Sequence, residues 1–219
     1  MALLALVQPS LTSSETHATS ALFANGLTVS GLSHTDPVLR RIGITAALPA
    51  DYKQALVALA MAPQMLDEKK YEELVNDFIE QFADYPDGYS ARARIEMSKH
   101  LFAEADRDMQ TAIAKSGNKA DAYYSYARLM YDKEILLPDA PYAEWSLEKV
   151  VEMAQKAYET DPQPLYNYLQ YQAKYMQKKY QEAYDGFISL TKTQFRSPNI
   201  FHEAALCKKE MGAPIDEVI

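Results

Sequence analysis

Tyr89–Gly117, YSARARIEMSKHLFAEADRDMQTAIAKSG, decides the fold. It reads as one helix, a tight turn at Lys99–Leu101 and a second helix. Ala105, Met109 and Ile113 recur every four residues, which places them on one helical face. Gly117-Asn118 then stops the second helix, glycine being the usual residue just past a helix end. Downstream the plan repeats. From Ala120, Tyr123, Tyr126, Ala127 and Met130 mark a first helix, and Val150, Ala154, Ala157 and Tyr158 a second that ends at Asp161-Pro162. From Pro164 the markers are Leu169, Ala173 and Met176, then a turn at Lys178-Lys179, then Tyr180, Ala183, Phe187 and Leu190. Ser197-Pro198 opens a last helix to about Met211, and Gly212-Ala213-Pro214 starts a turn. Upstream, one helix runs from Tyr52 to about Leu66, bent by Pro63, and another over Glu68–Asp84 carries Leu74, Phe78 and Phe82. No run of alternating apolar residues is bounded by turns, so the expected class is all-α.

The period is measurable. One and the same interval separates Tyr89 from Tyr123 and Ala93 from Ala127. The first small or apolar residues of the second helices are Leu74, Ala105, Val150 and Ala183, at spacings of 31, 45 and 33. The long spacing contains an insertion of 11 residues, Ile135–Trp145. Phe102-Ala103-Glu104-Ala105 and Tyr180-Gln181-Glu182-Ala183 open second helices alike, with Tyr71-Glu72-Glu73-Leu74 a looser version. Helical hairpins with these residues at a period of about 34 residues resemble the tetratricopeptide repeat (TPR) family. Tyr89 matches its first aromatic, Ala93 the small residue of helix A, Ala105 and Met109 the core of helix B, and Asp161-Pro162 the closing proline. Two positions depart from the pattern: Tyr171 stands where a small residue is expected, with Ala173 nearby, and Glu96 replaces an aromatic.

The resemblance covers about residues 52–219. It implies an α-solenoid, a right-handed superhelix of stacked antiparallel hairpins. The expected repeats are 51–85, 86–119, 120–163 with the inserted loop 135–145, 164–196 and a half repeat 197–219. Residues 1–50 read as short helices, a degenerate repeat or an irregular extension. The insertion carries the single tryptophan. It forms either a partner-binding arm or, the reading favoured here, a flap over its own hairpin, because an exposed Trp beside leucines is unfavourable.

TPR proteins bind segments of other proteins on a concave face lined by the A helices, so the resemblance implies a protein or peptide partner. The groove candidates are Arg94 and Met97, then Tyr124, Arg128 and Tyr131, then Tyr168, Gln172 and Tyr175. Arginines one repeat apart suit carboxylates of an acidic or C-terminal peptide, and tyrosines give rigid amphipathic contact area. The competing reading makes the tyrosines inter-repeat packing and pairs the arginines with Asp or Glu on the next helix. The family's lysine–asparagine carboxylate clamp is not supported, since Ser90, Arg94, Tyr124 and Arg128 occupy the relevant places.

Composition narrows the classes. The net charge of −8 disfavours nucleic acid, an RNA-binding pentatricopeptide-like array included, and an anionic membrane surface. No stretch reaches the ~20 apolar residues of a membrane span. Met1–Val7 is apolar but lacks a basic start and is short for a signal peptide. Compartment stays open, cytoplasmic or periplasmic. With one cysteine, Cys207, there is no intrachain disulfide; its place in the repeat points inward.

No catalytic or metal constellation emerges, and no cofactor is expected. His17, His34, His100 and His202 form no metal-ligand spacing and read as surface residues. Gly26 and Gly31 make no phosphate loop, and no nucleophile motif surrounds Ser13, Ser14 or Ser33. Asp106/Asp108 and Glu72/Glu73 read as solvated helix faces. The expectation is a non-enzymatic scaffold or adaptor. The alternative is a docking or regulatory part of a longer enzyme or cell-envelope protein, because Ile219 falls at the start of what the period makes a helix B.

Overall fold

A computed structural model describes residues 50–214. Among these, nine α-helices and one 3₁₀ turn follow one another without a strand. They are α1 (Ala50–Met61), α2 (Glu68–Gln81), α3 (Asp87–Ser98), α4 (Phe102–Lys115), α5 (Lys119–Leu136), α6 (Leu147–Thr160), α7 (Pro164–Met176), α8 (Tyr180–Thr191) and α9 (Pro198–Glu210). The all-α expectation is met there. The short helices expected before residue 50 and the turn continuing to Ile219 lie outside the described residues. The chain divides into two compact units, Met1–Lys115 and Ser116–Ile219.

In the first unit, Pro63 falls in the 3₁₀ turn Ala62–Gln64, which closes α1 where the sequence places a bend. Asp67 caps α2 by accepting from the Lys70 backbone N–H at 2.9 Å. Leu74, Val75 and Phe78 of α2 face a core built with Tyr52, Leu56 and Leu59 of α1 and Ala91 and Ile95 of α3. The Tyr52 ring stacks on Tyr85 at 3.9 Å between centroids and meets Phe82 edge-on at 5.2 Å. Its hydroxyl donates to the Asp87 carboxylate, so α1 is tied to the start of α3.

α3 ends in a Schellman turn. His100 adopts φ 61°, Leu101 N–H bonds the Glu96 carbonyl at 2.8 Å, and His100 N–H bonds Met97 at 3.0 Å. Three residues suffice to reverse the chain into α4, which packs back on α3. Ala93 and Ala105 are fully buried, and Phe102, Met109 and Ala112 complete the buried face of α4. Gly117 does not act as the expected helix stop: among the described glycines only Gly212 has a positive φ. Asn118 instead starts the next helix, its side chain accepting from the Asp121 N–H at 3.3 Å.

In the second unit, consecutive helices α5 to α9 pack each on the next, and α5 also meets α7. Ser146 caps α6 through Lys149 N–H at 3.2 Å, and prolines occupy the first turns of α7 and α9, where a missing N–H costs nothing. The Schellman turn recurs at Lys178 (φ 61°) after α7 and at Gly212 (φ 81°) after α9, one repeat period further on. α5 lacks it because the helix runs on through Leu136 into the insertion. The insertion then folds back. Trp145 is 2% exposed and meets Tyr126 and Tyr142 edge-on at 6.3 and 5.6 Å. Leu136, by contrast, stays 66% exposed.

Tyr171, the large residue at a small position, is accommodated from the opposite side. A Cβ on Gly186 of α8 would lie 2.4 Å from the Tyr171 ring. The missing side chain has moved from α7 to α8, and the ring fills the space while packing on Phe187 at 6.0 Å.

Two measurements check this packing. Gly186→Ala is expected to cost about 1–3 kcal/mol by overpacking. In a Tyr171→Ala background the same change is expected to be neutral or to stabilise by up to about 1 kcal/mol through helix propensity. Denaturant unfolding of the four variants reads the coupling, and additivity would contradict the contact. Emission from the single tryptophan should be blue-shifted and nearly insensitive to iodide in the native protein; strong native quenching would make the insertion a free arm.

Candidate functional site: a groove on alternate helices

Three alternate helices of the second unit open a cavity of about 360 Å³. Tyr131 and Ile135 come from α5, Gln172, Tyr175 and Met176 from α7, and His202, Glu203 and Leu206 from α9. Tyr131, Gln172 and Tyr175 were candidates from sequence. Tyr168 lies just beneath: its ring packs on Phe187 and Phe195 at 6.0 and 5.8 Å, and its hydroxyl points to Glu203. Tyr124 is turned into packing instead, 5.2 Å from the Tyr166 ring. Arg128 pairs with Asp132 one turn along its own helix at 2.8 Å, and its guanidinium lies 5.6 Å from the Tyr131 ring centre. In the first unit, Arg94 is exposed and Met97 is buried.

The residues missed by the sequence reading are on α9. Tyr168 and Gln172 carried forward by one repeat period give His202 and Leu206, so the period itself held the signal. Ile135 was assigned to the insertion, but it lies in the last turn of α5, which ends at Leu136, and remains 49% exposed.

Glu203 is the polar centre of the groove. Its Oε1 accepts from the Tyr168 hydroxyl at 2.6 Å and from Gln172 Nε2 at 2.8 Å. Gln172 Oε1 is buried with no partner. Burial, reinforced by the Glu203 charge, pushes the Tyr131 phenol up to about 12 and raises that of Tyr168 as well. Burial and the same charge push the Cys207 thiol up to about 11, so the inward cysteine is an unreactive thiol rather than a nucleophile.

A second polar cluster sits in the first unit. Arg92 forks onto Asp108, Nε to Oδ2 at 2.6 Å and Nη2 to Oδ1 at 2.8 Å, joining α3 to α4. The expected solvated face is thus corrected at Asp108, which is 7% exposed and held by this fork. Glu96 lies 3.8 Å from Arg92 Nε and has a buried oxygen without a partner. Burial and the Asp108 charge raise its carboxyl to about 7, against the pull of Arg92. This cluster is a structural brace between helices.

Among the described residues, no group of three His, Cys, Asp or Glu side chains is placed to hold a metal ion. No described helix is long and apolar enough to cross a membrane. No protein-family model matches the chain, and no curated protein matches it in sequence.

The raised Glu96 pKa has a definite sign. The folded protein holds this proton more tightly than the unfolded chain, whose carboxyl titrates near the ordinary 4.5. Ionised Glu96 therefore costs stability fully above about pH 7, and the cost fades as pH falls toward that ordinary value. Glu96→Gln is expected to be about 1–2 kcal/mol more stable than the parent at about pH 8, and nearly equal at about pH 5, in urea unfolding. A difference independent of pH would contradict the assignment.

Proposed function

We propose that this chain is a TPR-like protein-interaction module, and that the groove of α5, α7 and α9 receives a segment of a partner protein. The observation that carries the reading is the origin of the lining: all eight residues come from alternate helices, the A helices of the repeat, and none from α6 or α8. Helices that take turns facing the same way are what stacked hairpins in a solenoid produce. Two further features support it. The Schellman turn follows α3, α7 and α9, again alternate helices. The side-chain register of the groove follows the repeat period on α7 and α9. The cavity is at the small end of the range for specific sites, suited to one or two anchoring side chains of a longer segment. The same module would serve a free adaptor or the docking part of a longer protein.

Affinity capture from the native cell, read by mass spectrometry, tests the proposal. A protein captured by the parent is expected to be lost with Tyr175→Ala/Leu206→Asp, while circular dichroism stays helical. It is expected to be retained with Arg94→Ala, which lies in the other unit. Retention by the groove double variant would remove the groove as the binding site.

A further inference from the structure

We propose that the groove selects a basic segment, a lysine or arginine flanked by apolar residues, with its cation seated on Glu203. This rests on the groove reading above and specifies the partner's chemistry. It also reverses the polarity expected from the arginines in the sequence.

The argument is an inventory of donors and acceptors. The lining contains no lysine or arginine; besides Glu203 and Gln172, its polar groups are the His202 imidazole and the Tyr131 and Tyr175 hydroxyls, none of which bonds Glu203 among the described residues. Glu203 is its carboxylate, and both internal donors converge on one oxygen, Oε1. Among the described residues Oε2 has no partner, and no cation pairs with Glu203. Gln172 spends its amide N–H on Glu203, which leaves its carbonyl oxygen buried and unsatisfied. Flipping that amide would set two acceptors against each other, so the leftover acceptor is dictated by Glu203. The groove therefore offers one carboxylate oxygen, Glu203 Oε2, in need of a donor, while the Gln172 oxygen lies buried behind it. Lysine brings three N–H donors and arginine five, and neither brings an acceptor.

The walls fit the same ligand. Tyr131 and Tyr175 present aromatic rings, which attract cations over their faces. The Tyr131 ring already holds a cation from its own chain, the Arg128 guanidinium. Ile135, Met176 and Leu206 supply apolar wall for an aliphatic stem. Leu136 and Phe201, next in sequence to the lining residues Ile135 and His202, are 66% and 51% exposed, apolar surface that neighbours of the cation can cover, which favours a peptide over a free amine. An acidic peptide meets the opposite conditions: Arg128 is already engaged with Asp132, and a carboxylate placed in the groove would face Glu203. The chain's net charge of −8 steers a basic partner toward it.

The test pans a random-peptide phage library on the 219-residue chain, then measures synthetic copies of the selected peptides by fluorescence anisotropy. Selected sequences are expected to carry Lys or Arg beside Leu, Phe or Tyr. Their binding should weaken with added salt and fall about ten- to hundredfold in Glu203→Gln. Glutamine keeps an acceptor for the Tyr168 hydroxyl, and circular dichroism verifies the fold. Asp185→Asn, an exposed carboxylate on α8, should bind as the parent does. Equal losses in Glu203→Gln and Asp185→Asn would mean diffuse charge attraction and overturn the inference. Selection of acidic or uncharged peptides whose binding is lost in Tyr175→Ala would overturn it while leaving the groove reading intact. No selection, or peptides indifferent to Tyr175→Ala, would overturn both.

Discussion

A phenol ring carried into a protein interior takes its hydroxyl out of water, and that hydroxyl must find an acceptor. With 16 tyrosines, this chain meets the requirement repeatedly, and its helix arrangement depends on how it does so. Tyr52 on α1 reaches Asp87 at the start of α3, 35 residues on. Tyr168 on α7 reaches Glu203 on α9, also 35 residues on. Tyr166 on α7 reaches back to Asp121 on α5 across the insertion, 45 residues away. Each bond joins helices that are two apart in the chain, not neighbours within a hairpin. Burial raises the phenol of all three, so they stay protonated donors across the ordinary pH range. Within each unit, apolar packing holds each helix to the next; these directional bonds set the register between alternate helices, where a slip would strand both a hydroxyl and a carboxylate.

Close approach within hairpins depends on the complementary device, absence of side chain. Ala93, Ala105, Ala127 and Ala183 are all fully buried, and each lets a larger neighbour fill the interval. Tyr171 and Gly186 show that the device belongs to the pair of helices and not to either sequence position. The same logic holds at the turns. His100 and Lys178 occupy the left-handed conformation that Gly212 takes without strain, because the Schellman bonds and the packing of the next helix outweigh a penalty of about 1–2 kcal/mol.

The groove inherits its chemistry from the tyrosine bonds. Glu203 is present to accept from Tyr168, and Gln172 is drawn to the same oxygen. Satisfying those two donors at Oε1 leaves Glu203 Oε2 unengaged and the Gln172 oxygen buried without a donor. On the reading proposed above, the polarity of the groove is a by-product of inter-helix register.

The residues of 52–211 determined the helices themselves. Four-residue spacing of apolar side chains and prolines at first turns act within a few residues of each other, so a linear reading recovers them. The repeat period likewise showed which positions are equivalent, and extended by one repeat it contained His202 and Leu206. Tertiary structure alone decided the rest. It sent Tyr124 into packing and Ile135 into the groove, and matched Tyr171 to Gly186. It also buried Asp108 under Arg92 and gathered two donors onto one oxygen of Glu203. Those outcomes turn on distances between helices and on the number of donors reaching each acceptor. Neither quantity is a property of spacing along a chain; both arise only when the helices are packed.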